Sequence, residues 1–161
     1  MKSRDDYSFN DKKKHREKEW KREHDAGGFR CSHCKNWVSI NSYIGTANRN
    51  HCPHCLWSKH VDEQKGDREA TCHGGMKPIG LTFKHEGMRR QGELMFVHEC
   101  MGCGKLSINR IARDDDNDGV VGIFESSKYD RRLARLLQGA GIHLLDAGDE
   151  EEVRLQLFGR R

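Results

Sequence analysis

The sequence predicts a small α+β protein with two zinc-binding submodules, treble-clef-like then zinc-ribbon-like, followed by a short helix and strand extension. Two observations carry that class. Cys31-x2-Cys34 and Cys52-x2-Cys55 lie seventeen residues apart, and Cys72 is followed by Cys100-x2-Cys103. The composition supplies the third: 34% of the 161 residues are hydrophobic and 34% charged, too poor a balance for a large apolar core. Such a chain needs staples, and metal supplies them.

The elements follow in chain order. Residues 1–27 carry nine Lys or Arg against seven Asp or Glu and read as a flexible, charged N-terminal arm. Lys12 to His24 can form a helix with charge pairs such as Glu17–Lys21, and its one apolar anchor is Trp20. The arm is either a solvated tail or a segment that orders on a polyanion with Trp20 docking. Gly27-Gly28 marks a hinge, after which a cysteine-rich domain runs over 28–124. Trp37 to Ile40 reads as a strand and Ile44-Gly45-Thr46 as a turn. Pro53 stands at a first-turn position for a short helix over His54 to His60, which would complete a treble clef. Leu81-Thr82-Phe83 and the apolar run Leu94 to Val97 are strands of a ribbon, with Gly87 and Gly92 flanking the loop between them. In the extension, 125–161, Leu133, Leu136 and Leu137 define a helix stopped at Gly139. The alternation Val153, Leu155, Leu157 favours a final strand.

Two cysteines two apart turn their sulfurs toward one point, and a second pair completes a tetrahedral thiolate shell suited to Zn²⁺. Cys31, Cys34, Cys52 and Cys55 therefore form site 1. Cys72, Cys100 and Cys103 leave site 2 one ligand short. His98 is the preferred fourth ligand, since the strand period of two places it on the face of Cys100. His60 is the alternative, with His73 a further candidate. The start of the chain has no apolar stretch for a secretory signal, and paired knuckles in an untargeted chain point to thiolate-bound metal in a reducing cytoplasm. No run approaches a membrane span in length.

Catalytic patterns fail. A zinc deaminase needs an acid two residues after its first ligand and a proline before its Cys-x2-Cys, but Cys72 leads into His73-Gly74 and Glu99 precedes Cys100. An HNH-type nuclease places its chemistry between two knuckles. Here that stretch offers Asn41, Asn48, Asn50 and His51 without an Asp-His or Glu-His pair. No enzyme and no small-molecule substrate are expected. Asp114, Asp116, Asp118 and Glu125 match the spacing of a calcium loop, yet the segment before them is too short for the flanking helix. Calcium is disfavoured, and an acidic loop that caps a helix or pairs with arginines explains the run equally well.

The run Arg49-Asn50-His51-Cys52-Pro53-His54-Cys55-Leu56-Trp57-Ser58-Lys59-His60-Val61-Asp62 resembles the signature of the bacterial RNHCP domain family. The likeness continues through Gly66-Asp67-Arg68, Met76-Lys77-Pro78, His98 to Gly104, Asn109-Arg110-Ile111-Ala112 and Asp114 to Asn117, covering about residues 29–117. It implies a zinc domain with no defined reaction. The function expected is RNA binding, on the ribosome or another RNA–protein assembly. Lys12, Lys13, Lys14, Arg16, Lys21 and Arg22 would neutralise phosphates, while Arg49, Asn50 and Arg110 at the knuckles would set orientation. The alternatives are a protein-interaction or structural zinc module and, less favoured, a nuclease. Against RNA stands the weak basic excess of the domain, thirteen Lys or Arg to eleven Asp or Glu over 28–124.

Overall fold

A two-stranded hairpin and a four-stranded antiparallel sheet carry the cysteines, and three helices pack on the larger sheet. The computed structural model describes residues 14–15, 18–23, 25–40, 49–64, 69–84 and 92–159. Lys12, Lys13 and Arg16, the turn at 44–46, the segment 66–68 and Gly87 lie outside the described residues.

In the hairpin, β1 (Gly28–Arg30) pairs with β2 (Trp37–Ser39), with Phe29 opposite Val38. Gly28 is a strand residue rather than a free hinge. A Cβ there would lie 2.3 Å from the Val38 carbonyl oxygen and 2.8 Å from the Trp37 ring. Residues 18–23 are helical, and their Trp20 is 6% exposed, its ring 4.9 Å from that of Phe29. Trp20, Phe29, Val38 and Val61 close over Cys31 and Cys52 in one small apolar cluster. The arm is thus anchored at Trp20, with the rest of that helical stretch turned to solvent.

The larger sheet has the order β3 (Ser58–Lys59), β4 (Gly75–Phe83), β5 (Leu94–Cys100), β6 (Leu106–Arg110). The apolar run Leu94 to Val97 is uninterrupted because β5 buries both of its faces, as a central covered strand must. On one face Leu81, Leu94 and Phe96 meet Val120 and Phe124 of α1 (Asn117–Ser127) and Val153 of α3 (Glu150–Phe158). On the other, Val97 packs with Leu137 of α2 (Arg131–Gly139) and with Leu144.

Two expectations are corrected. No helix follows Pro53: residues 53–55 turn, and the chain enters β3 by Ser58, so the treble-clef opening does not form. The strand expected over Val153–Leu157 is helix α3. Asp146 caps a preceding 3-10 turn in a capping box with Asp149, and Glu150, Glu151 and Glu152 occupy the first turn, where the helix dipole favours acids. Val153 and Leu157 are then one turn apart on the core side, and Leu155 lies off it. Residue 124 lies inside α1, whose Val120 and Phe124 belong to the sheet core.

Candidate metal centres

Three Cys-x2-Cys turns share one backbone pattern. The amide of the first cysteine donates to the carbonyl five residues on, Cys31 to Asn36, Cys52 to Trp57 and Cys100 to Lys105, at 2.8, 2.9 and 2.8 Å. The amide four residues on donates back to the same cysteine, from Lys35, Leu56 and Gly104. That residue has positive φ in each case, 67°, 65° and 79°. The turn aims both sulfurs outward from one loop, and its cost is a left-handed residue at the fifth place, about 1–2 kcal/mol where the residue has a Cβ.

The knuckles at 31–34 and 52–55 face each other. Cys31 and Cys55 sulfurs are 3.5 Å apart, as are those of Cys34 and Cys52, and all four lie within 4.8 Å of one another. A disulfide needs about 2 Å. Tetrahedral Zn–S bonds of about 2.3 Å put sulfurs about 3.8 Å apart, close to what is found. The acid–base chemistry agrees. Hydrogen bonds from Cys52 and Cys55 drive the Cys31 thiol far down, while that same contact pushes Cys52 up to about 11 and Cys55 higher still. Four thiolates this close need a cation between them.

The second cluster joins Cys72, Cys100 and Cys103 to His60 rather than to His98. Cys72 and Cys100 sulfurs are 3.7 Å apart, and His60 Nδ1 is 3.3 Å from Cys103 Sγ. His60 reaches the cluster because its amide donates to the Gly74 carbonyl at 2.9 Å and its carbonyl accepts from the His73 amide at 3.0 Å. Its buried Nε2 has no hydrogen-bond partner among the described residues and faces Glu63 Oε1 at 4.0 Å, a carboxylate suited to hold the ring when Nδ1 binds a metal. Burial pushes the Cys72 thiol up to about 11. Glycines make room: a Cβ on Gly74 would lie 2.9 Å from Cys100 Sγ, and one on Gly102 3.1 Å from Cys72 Sγ.

His98 shares the face of Cys100, as expected, but both of its ring nitrogens are engaged away from the cluster. Its Nε2 meets the Leu56 carbonyl oxygen at 2.8 Å and its Nδ1 meets Asn109 Nδ2 at 2.8 Å. Full burial lowers its pKa to about 3, so it stays neutral.

The arginine and asparagine expected to face a nucleic acid are turned inward instead. Arg49, 1% exposed, donates from Nε to the His51 carbonyl at 2.9 Å, from Nη1 to both Asp114 oxygens at 2.7 and 2.9 Å, and from Nη2 to Asp115 at 3.0 Å. His51 Nε2 lies 2.9 and 2.7 Å from the two Asp115 oxygens, and Asp115 also accepts from the Ala112 amide at 2.7 Å. Asn50 donates to Asp62 at 3.0 Å, and the Pro53 carbonyl accepts from the Asp116 amide at 3.0 Å. The run 49–53 therefore clamps the acidic run 114–116 and with it the start of α1. A charge of Arg49's kind is tolerated there because every guanidinium nitrogen is bonded.

The acidic run is not folded as a calcium loop. Asp114 and Asp115 are held by Arg49 and His51, Asp118 stands in the first turn of α1, and Glu125, two turns on, pairs with Lys128 at 2.7 Å and Arg154 at 3.7 Å. Calcium ligands must converge from one loop, and these do not. Of the other residues expected at nucleic acid, Lys14, Lys21 and Arg22 are exposed, and Arg110 pairs with Glu93 at 3.2 Å. Nothing in a linear reading pointed to Asp115 as the partner of His51, 64 residues away. The available signal was the triple acid Asp114-Asp115-Asp116 itself, which Arg110 and Arg113 nearby do not match in number.

Between β6 and the segment 58–64 lies a cleft of about 460 Å³ lined by Lys59, Asp62, Lys105, Ser107 and Asn109. Its lining carries Arg49, Lys59, Lys105 and Arg110 against Asp62 and Glu63, with Lys105 donating to the Glu63 carbonyl and carboxylate. Among the described residues no helix is long and apolar enough to cross a membrane. No curated protein and no solved structure matches the chain. A family model, the RNHCP domain, matches residues 26–121, which span both cysteine clusters and the clamp between Arg49 and Asp115. On that match, over more than half of its length, the chain belongs to the RNHCP domain family.

Proposed function

We propose that the protein is a zinc-stabilised RNA-binding module without catalytic activity, acting on an RNA–protein assembly such as the ribosome. Each cluster holds one Zn²⁺, closed by four protein ligands with no open position, and so serves structure rather than chemistry. The observation that carries RNA binding is the burial of Trp20 on Phe29. It fixes a basic segment, with Lys18, Lys21 and Arg22 exposed, to the rim of the first cluster. A tethered arm loses less entropy on meeting a polyanion than a free one does.

The test is titration of labelled RNA with the zinc-loaded chain across salt concentrations. Affinity falls steeply with salt, by about 0.7 in the log–log slope for each phosphate neutralised on a single strand. A flat response would favour the second reading, a protein-interaction or structural zinc module, which the inward-facing Arg49 supports. The nuclease reading is disfavoured by the His51–Asp115 pair itself. Its carboxylate already accepts from His51, Arg49 and the Ala112 amide, and both side chains are almost wholly enclosed. Incubating RNA and DNA with the chain and Mg²⁺ or Mn²⁺ should leave them uncut.

A further inference from the structure

Helix α2 breaks a rule that α3 obeys. The first turn of α3 holds three glutamates, matching the positive end of the helix dipole. The first turn of α2 holds Arg131 and Arg132 and no acid. Arg135 follows one turn after Arg131, a like-charge pair that further weakens the helix. Only the cap complies, the Asp130 carboxylate accepting from the Leu133 amide at 2.9 Å. At 100° per residue Arg131, Arg135 and Arg132 fall on one arc opposite buried Leu137, and all three are exposed. None of their side chains forms an ion pair or hydrogen bond with a described residue. Three cations are thus held together where folding alone disfavours them.

Beside them stands Tyr129, 75% exposed, with Lys128 Nζ 5.3 Å from its ring centre. Tyr129 and Arg131 border an open groove of about 790 Å³, also lined by Gln138, Ile142 and His143. Both acids lining that groove are occupied, Asp130 by the Leu133 amide and Asp146 by the Gly148 amide, each at 2.9 Å, and His143 lies 3.9 Å from Asp149. An exposed aromatic ring beside a row of unpaired arginines suits a chain of phosphates carrying unpaired bases.

We propose that the outer face of α2, Arg131, Arg132 and Arg135 with Tyr129 at its entry, grips single-stranded nucleic acid, the arginines on successive phosphates and a base stacked on Tyr129. The proposal rests on the RNA-binding reading and gives it a surface. That surface lies beyond residue 121, outside the family match, so it is a feature of this chain rather than of the matched domain.

The test uses the full zinc-loaded chain and a fluorescein-labelled twelve-nucleotide oligouridine, with oligodeoxythymidine as the DNA arm. Replacing all three arginines (R131Q, R132Q, R135Q) weakens binding about thirtyfold or more and flattens the salt slope by about two. Tyr129→Ala costs about tenfold at unchanged slope, and Tyr129→Phe restores it. The triple variant keeps its zinc and melts no lower than the parent, because the charges removed oppose the helix dipole. An equal charge change at Lys18, Lys21 and Arg22 leaves the Tyr129→Ala effect intact. If the parent binds but the triple glutamine variant binds within twofold of it, the α2 surface is wrong and the RNA reading survives. If the parent binds neither oligonucleotide at low salt, both fall. A lower melting temperature in the triple variant would mark the arginines as structural and also overturn the assignment.

Discussion

The two cysteine clusters look alike in donor count and differ in how they are built. In the first, two knuckles of the same backbone form face each other, one of them the turn of the two-stranded hairpin, and every candidate ligand comes from a Cys-x2-Cys turn. In the second, one knuckle at the end of β5 meets Cys72 and His60, which come from two further segments held by pairing between residues 60 and 73–74. The first is a local device, readable from spacing. The second exists only once β3, β4 and β5 have assembled.

The contrast can be broken most forcefully at the first cluster. Its apolar companions are few, so the folding around it should rest on the proposed metal. Cys52→Ser should remove one of two proposed zincs, by elemental analysis, and collapse the amide dispersion of Phe29 and Val38 in NMR spectra. The binding energy at stake is of the order of 10 kcal/mol. Loss of dispersion across β5 as well would show the clusters to be one folding unit. Next in size is Arg49→Ala, which leaves Asp115 buried with one cation fewer and should cost about 3–5 kcal/mol in urea denaturation. A cost below 1 kcal/mol would mean that the clamp is unimportant.

The second cluster is sharpened by a pair of histidines. His60→Ala should lower zinc content by one, whereas His98→Ala should retain both zincs and lose about 1–3 kcal/mol from the broken contacts with Leu56 and Asn109. The reverse pattern would return the ligand role to His98. Gly74→Ala should loosen metal chiefly at this cluster, about tenfold in chelator competition, because its new methyl would press on Cys100 Sγ at 2.9 Å. The smallest effect belongs to the knuckle backbone. Lys35→Gly relieves an exposed residue at φ 67° and should stabilise by about 1 kcal/mol, while Leu56→Gly, at φ 65° but 2% exposed, should destabilise through lost packing. Equal signs for the two would contradict the shared geometry.

The same contrast governs what could be read from the chain. The four ligands of the first cluster, the strand at Trp37, the apolar run at Leu94 and the helix at Leu133 were legible because each depends on neighbours a few residues away. His98 was preferred over His60 because strand periodicity gives the face of a side chain but not the partners its ring nitrogens find, here Leu56 and Asn109. Val153, Leu155 and Leu157 alternate, yet three glutamates and a capped turn before them decide for helix. Arg49 and Asn50 read as surface residues because arginine and asparagine are seldom buried. Their partners, Asp114, Asp115 and Asp62, are supplied by the fold, at separations of 12 to 66 residues. Family resemblance located these residues correctly and said nothing of which way they point.

Nine consecutive residues, Cys52 to His60, supply ligands to both clusters: two thiols to one and an imidazole to the other. Whatever orders this segment for one ion has already met part of the entropy of placing ligands for the second. Thermodynamic reciprocity then requires that each ion raise the other's affinity by the same factor. The two proposed ions would then bind with positive coupling, and losing one would weaken the hold on the other without abolishing it. Two centres that look like separate staples would in that way share one strap.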